Sequence, residues 1–222
     1  IGISYAEMLA ALVQGIDDAD AQFGIMCRMI VTCLRHLGPE KALKDAKTAS
    51  ANAHPYVVGF GMGGDETRYS FHQFTPAFNL MHETGLACTV HAGEVAGPES
   101  VSEALDALPV TRIGHGVRAA DDPALVERLV ANDIVLEVCP GSNFALGLYD
   151  DPEDHPLNRL REAGVHVTLG SDDPPFFGTT IGAEYNRAQH DFGLSVEDLV
   201  NISATAIDAA FVDNGTKCLL RA

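Results

Sequence analysis

The sequence predicts an α/β fold, a (β/α)8 barrel of which about six strands are present. Three observations lead there. Six apolar, partly β-branched segments are each followed by a helical one, and apolar strands separated by helices pair in parallel with both faces covered. Five consecutive strands end in polar residues flanked by Gly or Pro. A barrel brings that many strand ends to one mouth, whereas an open sheet holds them several positions apart. No linker, repeat or composition shift divides residues 1–222, so the chain reads as a single domain. Alternation by itself also fits an open doubly wound sheet of six strands, and the strand ends decide.

Taken in order, Ser4 with Glu7 three residues on is a capping box that opens a helix over 5–23, and Gly24 stops it. Residues 25–34 are apolar enough for the first strand, and Pro39 opens a helix to about Ala53. A short buried-type strand covers 57–62, and Thr75-Pro76 opens a helix that Gly85 closes. Strand 86–90, helix 98–108, strand 111–113 and helix 123–132 follow, the two helices starting on Pro98 and Pro123. Strand 134–138, a helix from Pro156 to Gly164 and strand 165–169 complete the sheet. Two last helices cover 181–191 and the stretch that Ser195 caps with Asp198 at its third position.

Charge and cysteines narrow the function. Lys+Arg total 14 against Asp+Glu 31, a formal net charge of −17, which repels phosphate backbones and excludes nucleic acid or an anionic membrane as partner. No apolar run reaches the roughly 18 residues of a membrane span. The five cysteines (Cys27, Cys33, Cys88, Cys139, Cys218) contain no C-x-x-C pair and read as reduced residues of a cytoplasmic protein, not as a thiolate zinc site. The chain opens Ile1-Gly2-Ile3, without Met and on a helix, so the two strands wanting from a barrel are expected before Ile1.

The chemistry lies at the strand ends. Gly63-Gly64-Asp65-Glu66, His91-Ala92-Gly93-Glu94, Gly114-His115-Gly116, Cys139-Pro140-Gly141-Ser142-Asn143 and Gly170-Ser171-Asp172-Asp173-Pro174 each follow a strand. His91, His115, the adjacent Asp172 and Asp173, and Glu94 converge without any Ser/His/Asp or Cys/His nucleophile pattern, P-loop or dinucleotide fingerprint. Imidazole plus carboxylate without thiolate suits zinc with an open position for water, whose pKa such a metal lowers to about 7. A second imidazole could hold that water, and a nearby Glu could protonate the substrate.

These runs resemble the adenosine deaminase family, the mononuclear branch of the amidohydrolase barrels. The resemblance rests on Thr89-Val90-His91-Ala92-Gly93-Glu94, Arg112-Ile113-Gly114-His115-Gly116, Glu137-Val138-Cys139-Pro140 and Ser171-Asp172-Asp173-Pro174, with weaker support from Leu34-Arg35-His36 and Gly64-Asp65-Glu66. It implies one Zn2+ held by His91 and Asp172, Glu94 as proton donor to purine N1, and His115 as the residue that orients and deprotonates water. It further implies Asp173 on purine N7 and the Gly64 N–H on purine N3. The family's H-x-H pair of zinc ligands is absent: none of the nine His residues are two apart, and both ligands are expected upstream of Ile1.

The activity so implied is hydrolytic deamination of adenosine or 2′-deoxyadenosine, in purine metabolism, on a small-molecule purine nucleoside. Alternatives are a deaminase of adenine or another 6-aminopurine nucleoside or nucleotide, and a catalytically inactive barrel that binds. A binuclear amidohydrolase is disfavoured because Lys41, Lys44, Lys47 and Lys217 follow no strand. A Cys-ligated base deaminase is excluded by the lack of P-C-x-x-C. The remaining histidines, His155 among them, read as surface or packing residues. Phe176 and Phe177 read as core, with a wall of the pocket as the alternative, and Ser142 and Asn143 as mouth or loop residues.

Overall fold

The structure, a computed structural model, describes residues 2–222. Its strands are β1 (Met29–Leu34), β2 (Val57–Gly63), β3 (Ala87–Ala92), β4 (Arg112–His115), β5 (Val135–Val138) and β6 (His166–Leu169). They form one parallel sheet in the order β1-β2-β3-β4-β5-β6, a partial barrel of six strands. Helix α1 (Tyr5–Phe23) precedes β1, and α2 (Pro39–Ala51), α3 (Thr75–Glu83), α4 (Pro98–Ala107) and α5 (Pro123–Ala131) follow β1 to β4 in turn. After β5 come α6 (Pro140–Ala145) and α7 (Leu157–Glu162); after β6 come α8 (Pro174–Phe177), α9 (Ile181–His190), α10 (Val196–Ala209) and α11 (Asn214–Arg221). Among the described residues no helix is long and apolar enough to cross a membrane.

Local chemistry accounts for the helix ends. Both expected capping boxes form: Ser4 and Ser195 each accept the N–H of the residue three on, Glu7 and Asp198, whose carboxylates accept the cap N–H in return. Pro stands in the first turn of α2, α3, α4 and α5, where its missing N–H costs nothing. Between sheet and helices the core is dense. Phe60, Phe71, Phe74, Phe78, Met62 and Met81 are fully buried around β2 and α3, with the Phe60 and Phe78 rings edge to face at 5.0 Å.

Three neighbouring strands also share a polar network. Arg112 Nε lies 2.8 Å from Glu137 Oε1, and Thr89 Oγ1 donates to Glu137 Oε2 at 2.8 Å. Register puts Thr89 beside Arg112. Thus the Thr, Arg and Glu of the strand motifs tie β3, β4 and β5 together.

The expected elements form, with differences at their ends. Residues 25–28 are not strand; Ile25 is exposed, and pairing begins where the Met29 N–H meets the Tyr56 carbonyl. Helix α2 stops at Ala51, and α6, α8 and α11 are additional. Phe176, expected in the core, is 85% exposed, because the single turn of α8 is closed at once by Gly178 in a left-handed conformation and presents no face to the core. All five cysteines are free; Cys33, Cys88 and Cys139 are buried, whereas Cys27 and Cys218 are exposed.

Candidate active site

Parallel pairing sets the first distances. His91 and Gly114 are partners across β3 and β4, as are Ala92 and His115. The glycine makes room: a Cβ on Gly114 would sit 2.9 Å from His91 Nδ1. The two imidazoles meet edge to face with centroids 4.8 Å apart. From the end of β6, Asp172 reaches the same place, and one donor atom each of His91, His115 and Asp172 lie within 4.8 Å of one another.

His115 is 2% exposed and its Nδ1 has no hydrogen-bond partner. Its Nε2 stands 3.5 Å from Glu94 Oε2 and 3.8 Å from Asp172 Oδ2. Burial first, and the neighbouring His91 ring second, push His115 down to about 3, so its imidazole is neutral. Burial, with Asp172 and Glu66 adding repulsion, pushes Glu94 up to about 7. Two groups with such values approach as neutral partners, so the 3.5 Å contact between them is not an ion pair. A carboxyl whose pKa lies near neutrality beside an uncharged imidazole can serve as an acid and base pair set by environment.

His115 and Asp172 share a backbone feature that sequence did not announce. Their φ values are 59° and 52°, in the left-handed region, which His and Asp enter more readily than most residues. Each strand end therefore turns sharply and aims its side chain into the cluster. Gly64, at φ 96°, ends β2 in the same way, and a Cβ there would stand 2.7 Å from His36 Nδ1. Asp173 is at the N-cap of α8, yet its side chain makes no capping hydrogen bond. The structure thus brings His91, Glu94, His115 and Asp172 together, with Asp173 next to Asp172 beyond β6 and Gly64 at the end of the neighbouring β2.

Two buried carboxylates were missed. Glu66, 7% exposed, accepts backbone N–H groups of residues 93–96 and the Ser100 hydroxyl. Glu184 on α9, fully buried, accepts the Gly141 N–H at 2.8 Å and the Thr179 hydroxyl at 2.5 Å. Each joins loops that follow different strands. Glu66 belongs to a run that sequence analysis noted for its glycine, and no local pattern marks an acidic residue as turned inward. Ser142 and Asn143, expected at the mouth or in a loop, are buried in the short helix α6.

The donor set fits a metal ion. Imidazole and carboxylate oxygen converge without thiolate, Gly114 is cut away beneath His91, and a buried imidazole nitrogen lacks a partner. A parallel β/α barrel with this cluster at its strand ends is an amidohydrolase-type site of hydrolytic deaminases. The chain belongs to the adenosine deaminase family, whose family model, "Adenosine deaminase", matches residues 1–222.

Among curated relatives, an adenine deaminase of Sinorhizobium fredii is 48% identical over 217 residues, 98% of this chain and 67% of its own length. The crystal structure of adenine deaminase from Arthrobacter aurescens superposes with TM-score 0.92 at 30% identity, covering 99% of this chain and 67% of that one. An amidohydrolase from Burkholderia ambifaria, solved with bound Zn, gives 0.93 at 31% identity over 99% and 62% of the two chains. The chain spans about two thirds of the length of the curated relatives it matches.

Proposed function

We propose that residues 1–222 belong to one barrel domain of a zinc-dependent deaminase that hydrolyses a 6-aminopurine, with free adenine as its substrate. The observation that carries the chemistry is the geometry: the Glu94 carboxyl 3.5 Å from the buried His115 Nε2, beside the His91–His115–Asp172 cluster, with burial raising Glu94 and lowering His115. Adenine is preferred over adenosine because curated relatives at 45–48% identity are adenine deaminases. The five free cysteines support a reducing, cytoplasmic setting.

His91 and Asp172 would hold the zinc, which supplies Lewis-acid activation of water. His115 orients the water and accepts its proton at a ring nitrogen. Glu94 donates its proton to purine N1, so that the ring accepts electrons as water oxygen bonds to C6. The Gly64 N–H meets N3 and Asp173 meets N7, which sets the ring face. His115 passes its proton to the C6 amine, the C6–N bond breaks and ammonia leaves, and the C6 hydroxyl returns its proton to Glu94 as the carbonyl forms.

The test is Glu94→Gln in the intact protein, with adenine, adenosine and 2′-deoxyadenosine as substrates. Gln keeps the shape but has no acidic proton, and kcat should fall about 10²–10⁴-fold with zinc content unchanged. In the wild type, kcat/KM for adenine should exceed that for either nucleoside. A faster reaction with adenosine overturns the choice of base, and an active Glu94→Gln variant overturns the acid.

A further inference from the structure

Glu66 and its surroundings explain how Glu94 is held. After β2, Gly64 turns the chain, and Asp65 accepts both the N–H and the hydroxyl of Thr67, at 3.0 and 2.6 Å. That turn leaves Asp65 at the surface and sends Glu66 inward, toward the stretch between β3 and α4. Residues 93–96 belong to no helix or strand, so their N–H groups have no ladder to join. One carboxylate takes them all. Oε1 accepts Gly93 N–H and the Ser100 hydroxyl, the latter at 2.6 Å; Oε2 accepts Glu94, Val95 and Ala96 N–H at 3.1, 2.9 and 3.0 Å.

Five donors on two oxygens demand an ionised carboxylate. A neutral acid or amide would set a donor of its own against two or three others. Burial pushes the Glu66 carboxyl up, yet Ser100 and the backbone donors outweigh it and hold it below the ordinary carboxylate range.

We infer that Glu66 is a positioning residue for the reaction: by gathering the N–H groups of residues 93–96, that of Glu94 included, it sets where the Glu94 carboxyl stands relative to His115 and the substrate ring. This rests on the reading of Glu94 as the acid. Glu66 touches neither substrate nor metal ligand in that reading, so its effect passes through Glu94. Misplacement of a reacting group by about 1 Å costs on the order of 10²-fold in rate.

The experiment compares Glu66→Gln, Ser100→Ala, Glu94→Gln and the double variants with Glu94→Gln, in the intact, zinc-loaded protein. Ser100→Ala removes one donor of the five and serves where Glu66→Gln folds poorly. Expected for Glu66→Gln is a kcat loss of roughly 10²-fold, with KM within about threefold and zinc content unchanged. Expected for Ser100→Ala is a loss of about threefold to tenfold of the same kind. In the Glu94→Gln background both substitutions should change kcat by less than about twofold, because the group they position is gone. Losses that multiply in the double variants, or that track zinc content, assign Glu66 a general structural role and overturn the inference. So does an unchanged kcat in both single variants. An active Glu94→Gln single variant removes the acid itself and is read separately from any effect at Glu66.

Discussion

At the scale of single residues, environment gives chemically ordinary side chains distinct tasks. His155 shows this away from the site. It is 3% exposed, its Nδ1 accepts the Leu157 N–H at 3.2 Å, and its Nε2 is left to donate to Asn143 Oδ1 at 3.1 Å. Rings of Phe144, Tyr149 and Phe192 surround it. Burial, and then Arg159, push its pKa down from 6.5 to about 4. Above 6.5 both folded and unfolded forms are neutral. Between 6.5 and about 4 the unfolded chain binds a proton that the folded chain refuses, so stability falls as pH drops through that window. Urea unfolding at pH 7 and 4.5 checks this: His155→Gln should lose stability less steeply between the two pH values than wild type. Equal slopes would mean that His155 takes up its proton in the fold as readily as outside it.

Elements owe their arrangement to patterns visible in the chain, and the cross-links between them do not. Apolar runs, Pro starts, Gly stops and the two Ser-headed caps announced six strands and the main helices. Strand-end His91, His115 and Asp172 could be named from the same reading, because a side chain's place on a strand end is a local property. Which partner it meets is not local. The left-handed φ of His115 and Asp172 and the inward turn of Glu66 and Glu184 depend on contacts with other strands. The Arg112–Glu137 pair is of this kind, and it gives a stability test. Glu137→Ala leaves a largely buried guanidinium without its carboxylate. Because Glu137 is 29% exposed, the cost should be less than for a sealed pair, about 2 kcal/mol, seen as a lower thermal midpoint. Replacing both members, Arg112→Met with Glu137→Leu, should recover much of it. A single variant as stable as wild type would show that the pair contributes nothing.

Across the whole molecule two tendencies oppose each other. The outer edges of β1 and β6 have no strand partner among the described residues, and open edges recruit other chains. A net charge of −17 keeps copies apart. Salt screens the second and leaves the first, with a Debye length near 10 Å at 0.1 M and about 3 Å at 1 M. Residues 1–222 produced alone should therefore associate increasingly as salt is raised, which sedimentation velocity can follow; a sedimentation profile indifferent to salt would show that the edges are protected. The clamp made by Glu66 has a consequence on this scale too. Amide hydrogens of residues 93–96 lie in a connection outside any helix or strand, where exchange with deuterium is ordinarily fast. Bound to a buried carboxylate, they should exchange as slowly as those of the neighbouring strand, and this connection would stand set before any ligand arrives, at no further cost in ordering it.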